Sequence, residues 1–141
     1  MAQHVETVTA QGGAKYSFHP DHRNGNPEKS QWTIQPDAEL ATFESAMSRS
    51  WRDETTAWGL FPLDAPHKLG ISAKNATLWP RNLFMAKYVS SDSLTWHGYP
   101  ADPVRRTSDC PPDDVANMWL KTRLVPKSFI RKSRKRQPCS L

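Results

Sequence analysis

Pro36–Gly59 reads PDAELATFESAMSRSWRDETTAWG, and the fold class turns on this stretch. Leu40, Phe43, Met47 and Trp51 recur at spacings of three, four and four, which places them on one face of an α-helix. Asp37 suits the N-cap. Glu39 falls in the first turn, where a carboxylate complements the helix dipole, and Gly59 is a natural stop. The spacing predicts one long helix over residues 38–57, with Trp58 extending its apolar stripe.

On either side the period changes from helical to alternating. Tyr16 and Phe18 alternate with Lys15 and Ser17, and Trp32 and Ile34 alternate with Gln31, Thr33 and Gln35. Asn24-Gly25-Asn26-Pro27 between them predicts a hairpin with a long loop. Residues 1–13 are polar, end in Gly12-Gly13 and read as a loose arm. After the helix, strand patterns return at Leu69–Ala73, Leu83–Val89 and Leu94–Trp96. The predicted class is therefore α+β, a mostly antiparallel sheet packed on one long helix, followed by a C-terminal helical basic segment.

That segment begins after a Pro-rich connector at residues 98–112. Pro111-Pro112-Asp113-Asp114 reads as a helix start, with acids near the positive pole. Val115, Met118, Trp119 and Thr122 share one helical face. Pro126 opens a second helical segment, in which only Phe129 and Ile130 offer an apolar anchor. The pair outlines a loose helix-turn-helix. We divide the chain into a body, 1–108, and a C-terminal segment, 109–141, expected to pack on the same domain.

Charge follows the same division. The first 108 residues carry eleven basic and eleven acidic side chains; residues 109–120 add three aspartates; residues 121–141 carry eight Lys and Arg and no acid. The net charge of +5 thus comes from the C-terminal end, and such asymmetry points to a polyanionic partner. Lys127, Arg131, Lys132, Arg134, Lys135 and Arg136 crowd one short segment. Phosphates would relieve their mutual repulsion. The bland alternative is a solvated tail, or in a eukaryotic host a nuclear-import cluster.

A second cluster is Trp96-His97-Gly98-Tyr99-Pro100-Ala101-Asp102, followed by Arg105 and Arg106. Histidine is the side chain suited to proton transfer near neutral pH, and the arginines suit phosphate. His97, Tyr99 and Asp102 are therefore candidates for a metal-independent nuclease or phosphotransfer site. The competing reading has Trp96 and Tyr99 in the core, His97 as a satisfied hydrogen-bonding residue, and the arginines paired with Asp102 or Asp109. Tyr16, Phe18, Trp32 and Tyr88 would stack bases if they lined a bare sheet face; the alternative is that they make the core.

Other chemistries find little support. His19 and His22 flank Asp21 at short spacing and would need His4, His67 or a cysteine to complete a metal site. The two cysteines, Cys110 and Cys139, form no CxxC pair and read as free thiols. The six glycines make neither a P-loop nor a dinucleotide fingerprint. No metal or cofactor is expected. No apolar run approaches the roughly 20 residues of a membrane span, and the start, MAQHVETVTAQGG, lacks a secretory pattern. The expected location is cytoplasmic, or nuclear in a eukaryotic host.

Three functions stay open at this point. The first is a non-catalytic accessory protein binding RNA or DNA through the basic segment together with Arg105 and Arg106. The second is a protein-binding subunit or inhibitor docking on an acidic surface. The third is a small nuclease or toxin-like enzyme centred on His97.

Overall fold

The structure is a computed structural model, and it describes residues 6–141. Eight strands and three helices follow one another: β1 (Glu6–Thr9), β2 (Lys15–Phe18), β3 (Gln31–Trp32), α1 (Pro36–Ser48), β4 (Thr56–Gly59), β5 (Gly70–Ile71), β6 (Asn82–Leu83), β7 (Ala86–Val89), β8 (Thr95–Pro100), α2 (Asp113–Lys121) and α3 (Lys127–Arg134). The main sheet runs β1-β2-β8-β7-β4, and a smaller one runs β3-β5-β6. The class is α+β. The main sheet is mixed, because β2 joins β8 in parallel while its other neighbours are antiparallel.

Alternation along the strands builds two cores. Across β4, β7 and β8, Ala57 pairs with Tyr88 and Tyr88 with Gly98. Residues directly opposite share a sheet face, so this row points toward α1. Phe43 of α1 lies there with Tyr16 at 4.9 Å, Tyr88 at 5.2 Å and Trp96 at 5.8 Å between ring centroids. The next row, Trp58, Lys87 and Tyr99, faces the other way. Trp58 there joins Trp51, Phe84, Met85, Trp119, Phe129 and Ile130 in a second core, roofed by α2 and α3.

Gly98 fixes this arrangement. A Cβ there would sit 2.3 Å from the Tyr88 ring and 2.9 Å from the Tyr16 hydroxyl. Only glycine lets the Tyr88 ring lie over β8, and that register sends His97 and Tyr99 to the opposite face.

The long helix predicted over residues 38–57 is not formed. α1 ends at Ser48, and its N-cap is Gln35, with Pro36 as first residue, rather than Asp37. Ser50 takes the left-handed conformation, with φ 58°. Its N–H donates to the Met47 carbonyl, and the Trp51 N–H donates to that of Ala46. This is a Schellman ending, the geometry usually reserved for glycine. The chain then turns on Asp53, whose Oδ1 accepts from the Thr55 and Thr56 N–H groups at 2.9 and 2.7 Å. Such local bonding competes with helix, and the Trp58 N–H donates back to Trp51. Trp51 therefore leaves the stripe of Phe43 for the second core.

Other expectations change for similar reasons. β2 and β3 do not pair with each other; β2 lies between β1 and β8, and β3 pairs with β5. Glu6–Thr9 of the expected arm is a strand, while residues 1–5 lie outside the described residues. The run Leu83–Val89 divides between two sheets, with Phe84 and Met85 turned into the second core. In α2 the buried residues are Val115, Ala116 and Trp119, and Met118 is exposed.

α2 and α3 form the helix pair anticipated around Val125. Both end as α1 does, with Arg123 and Arg136 left-handed at φ 59° and 57°. α3 buries Phe129, Ile130 and Ser133. Like-charge pairs such as Lys127–Arg131 cost about 0.2–0.5 kcal/mol each. Burying one Phe or Ile side chain contributes about 1.5–3 kcal/mol, so packing outweighs repulsion. Among the described residues no helix is long and apolar enough to cross a membrane.

Ser50 is exposed and makes no side-chain hydrogen bond among the described residues. Ser50→Gly removes a left-handed strain of about 1–2 kcal/mol and adds a chain-entropy cost of about 0.5–1 kcal/mol. The expected result is a slightly higher urea midpoint with unchanged slope; a lower midpoint would contradict the cap assignment.

Candidate functional site

The row on the face away from α1 carries the site. Lys87 stands between Trp58 and Tyr99, its Nζ 5.3 Å from the Trp58 ring centroid. That Nζ donates to the Ser108 carbonyl at 2.5 Å and lies 3.7 Å from Asp109 Oδ1. Asp109 Oδ1 also accepts from the Tyr99 hydroxyl at 2.8 Å, and Oδ2 accepts from the Asp102 N–H at 2.8 Å. Asp102 in turn holds Arg81 through both carboxylate oxygens, at 2.5 and 2.7 Å. Its carbonyl accepts from the N–H groups of Arg105 and Arg106. Two buried carboxylates thus pin residues 102–109 against the sheet.

Two imidazoles come in from the chain after β2. His19 stacks on His97 at 4.1 Å, and His22 stacks on Tyr99 at 5.4 Å. The parallel pairing of β2 with β8 brings these sequence-distant rings together. Between His22, His97 and residues 102–109 lies a polar cavity of about 120 Å³, with Glu28, Lys29, Ser30, Arg105 and Arg106 on its walls.

Burial pushes the His97 imidazole down to about 4, and its neighbours His19, His22 and Lys29 further disfavour a positive charge on it. His22 is also lowered, chiefly by burial, although its Nδ1 contact with the Ser30 carbonyl, at 2.9 Å, opposes this. Tyr99 is raised by burial and by Asp109. Near neutral pH the cleft therefore holds two neutral imidazoles and a protonated phenol committed to Asp109.

The predicted candidates separate accordingly. His97 and Tyr99 line the cleft together, while Asp102 is spent on Arg81. The three do not form one hydrogen-bonded relay. The expected pairing of Asp102 or Asp109 with Arg105 and Arg106 side chains is replaced: Asp102 pairs with Arg81, Asp109 with Lys87, and Arg105 with Glu28. Arg106 is exposed and has no ion-pair partner among the described residues. Tyr16, Trp32 and Tyr88 are buried, which removes them as a base-stacking face, and Phe18 is half-buried. His4 lies outside the described residues. Among those described, no three His, Cys, Asp or Glu side chains are grouped to hold a metal. Cys110 and Cys139 are free thiols.

On α3, Lys127, Arg131, Lys132 and Arg134 are exposed, as are Lys135 and Arg136 just after it. Arg134 reaches Asp113 at 2.9 Å, but both are solvent-facing, and such a pair is worth about 0–1 kcal/mol. Arg136 Nη2 donates to the carbonyls of Val104 and Arg105 at 3.0 and 2.9 Å. The end of α3 therefore abuts the Arg105–Arg106 loop.

Sequence reading named His22 only as a possible metal ligand and missed Lys29, Arg81 and Lys87. Lys87 carried a usable signal, a lysine alternating with Ala86 and Tyr88 in an otherwise apolar run. The others carried none, since their roles come from contacts between distant segments.

Removing the Asp102 carboxylate leaves Arg81 buried and unpaired. Asp102→Ala should cost about 3–5 kcal/mol in urea unfolding; a loss below about 1 kcal/mol would show the pair to be dispensable. His97 makes stability depend on pH. Its folded value of about 4 lies below the ordinary 6.5, so the unfolded chain binds the proton more readily. This contribution is complete above pH 6.5 and is lost as pH falls toward 4. His97→Gln should flatten that part of the stability profile relative to the parent protein, and an unchanged slope would rule His97 out as its source.

The chain matches no protein-family model, no curated protein and no solved structure.

Proposed function

We propose that this protein is a non-catalytic accessory factor that binds nucleic acid. The contact surface is the exposed side of α3, extended by the Arg105–Arg106 loop. The observation that carries this reading is the Arg136 contact with the Val104 and Arg105 carbonyls. It joins two basic groups, far apart in sequence, on one continuous surface. Carbonyl acceptors leave the guanidinium charge unneutralised, so Arg136 still contributes to the field. Lys127, Arg131, Lys132 and Lys135 make no ion pair among the described residues. The rest of the chain carries no excess positive charge, which localises the attraction to this end.

Binding of this type follows the phosphate backbone. Six phosphate contacts on a duplex would give a log–log salt slope of about −5. Truncation before Lys127 is a poor test, because Phe129 and Ile130 belong to the second core. The combined change Lys127→Gln, Arg131→Gln, Lys132→Gln and Lys135→Gln removes charge from exposed positions only. Fluorescence anisotropy on duplex DNA and single-stranded RNA should show weaker binding, with the slope flattened by about 0.9 per lost duplex contact. Unchanged affinity would overturn the proposal. Tighter binding to poly-glutamate than to either nucleic acid would instead favour an acidic protein partner.

A further inference from the structure

We infer that the cleft between His22, Lys29, His97 and Arg106 is a binding site for a phosphate monoester. The site shares Arg106 with the surface proposed above but uses none of the α3 side chains.

The inference starts from which groups in the cleft are already committed. Its carboxylates are occupied. Asp102 holds Arg81 with both oxygens, and Asp109 holds the Tyr99 hydroxyl and the Asp102 N–H, with Lys87 close by. Glu28 accepts from Asn75 and lies 3.8 Å from Arg105. The cations that satisfy the two buried aspartates, Arg81 and Lys87, are themselves buried and thereby consumed.

What remains uncommitted is basic. His22 is buried, and its Nδ1 meets the Ser30 carbonyl, so its Nε2 is the nitrogen left to the cleft. His97 makes no side-chain hydrogen bond among the described residues; its contact is the ring stack on His19. The Lys29 ammonium and the Arg106 guanidinium have no ion-pair partner among them either. These four side chains line a cavity of about 120 Å³ in which Lys29 and Arg106 have no ion-pair partner among the described residues.

An oxyanion supplies what this arrangement lacks. Charge-assisted bonds from Lys29 and Arg106 would hold phosphate oxygens. Neutral His22, with its Nδ1–H on the Ser30 carbonyl, presents Nε2 as an acceptor, so it would meet a P–OH of the ligand or take up a proton beside the dianion. The Arg fork suits phosphate geometry in particular. Burial is the main reason His97 stays neutral, with Lys29 among the lesser ones; an oxyanion would offset the electrostatic part, so occupancy should move the His97 ring toward its charged form. The cleft is lined by residues of β8, the Ser30 segment and the 102–109 loop, and its volume of about 120 Å³ is on the scale of a single terminal phosphate group. The source could be the end of a nucleic-acid strand or a small phosphorylated molecule; the chemistry recognised is the same.

The test is a titration of the full chain with inorganic phosphate, following the His22 and His97 ring signals by NMR, against chloride at matched ionic strength. Phosphate should shift both rings where chloride does not. Arg106→Ala combined with Lys29→Ala should weaken the phosphate effect about tenfold or more, the loss of one or two charge-assisted bonds. The α3 charge-removal variant should leave it unchanged. Absence of a phosphate-specific shift, or a shift that survives loss of Lys29 and Arg106 unaltered, would overturn the site. Two further arms identify the source. Adenosine 5′-monophosphate against adenosine reads a small ligand, and a 5′-phosphorylated oligonucleotide against the same strand unphosphorylated reads a strand end. Strand binding that ignores the terminal phosphate, with silent imidazoles, would remove this site while leaving the α3 reading intact. Imidazole shifts without strand binding would do the reverse.

Discussion

Arg81 and Asp102 meet inside the protein as a bidentate pair, and the cleft and the loop beside it depend on their meeting. Removing two charges from water is costly, and attraction repays the cost only when the remaining polar atoms are satisfied. Here they are. Both carboxylate oxygens face guanidinium nitrogens, and Arg81 Nε donates to the Thr77 carbonyl. The Asp102 backbone binds Asp109 on one side and the Arg105 and Arg106 N–H groups on the other. One residue therefore sets the position of the smaller sheet, the loop that walls the cleft, and the seat of Arg136. The pair acts as a locating device more than as a source of net stability.

The opposite face of the sheet uses a second buried carboxylate in the same way. Glu39 accepts hydrogen bonds from the Tyr16 hydroxyl and from Arg23, while its carbonyl accepts from the Tyr88 hydroxyl. Burial pushes its carboxyl up, and the bonds from Tyr16 and Arg23 pull the other way. α1 is thus fixed to β2 and β7 by polar contacts embedded in an aromatic core. A chain with a hydrophobic fraction of only 37% can specify its sheet this way, because direction comes from hydrogen bonds and bulk from tryptophan and tyrosine.

Parts of this were legible in the amino-acid sequence. The stripe containing Phe43 announced α1, and the charge count located the basic helix. Val115 and Trp119 announced α2. The end of α1 was hidden, because Ser50 occupies the position where glycine would have signalled the stop; Arg123 and Arg136 hide the other two ends likewise. Trp51 continued the helical spacing by coincidence of register, while its contacts belong to another core. The cleft was half legible. His97, Tyr99, Arg105 and Arg106 lie close together in sequence, but His19, His22 and Lys29 reach them only through the parallel β2–β8 pairing, which leaves no local signal. The partners of Asp102 and Asp109 were misassigned for the same reason: proximity along the chain is a weak guide to which charge a buried carboxylate will meet.

The second core has a consequence for how the chain matures. Trp51, Trp58 and Phe84 are made early, yet the side chains that cover them, Trp119, Phe129 and Ile130, are made late. While the chain is being synthesised, α1 and the strands around Tyr16 and Tyr88 can close over their own aromatic cluster. The far side of the sheet stays greasy until residues 113–134 emerge. During that interval the nascent protein presents an uncovered tryptophan-rich surface of the kind that aggregates or recruits chaperones. The same basic helix that faces outward in the finished molecule is, through Phe129 and Ile130, the piece that ends this exposure.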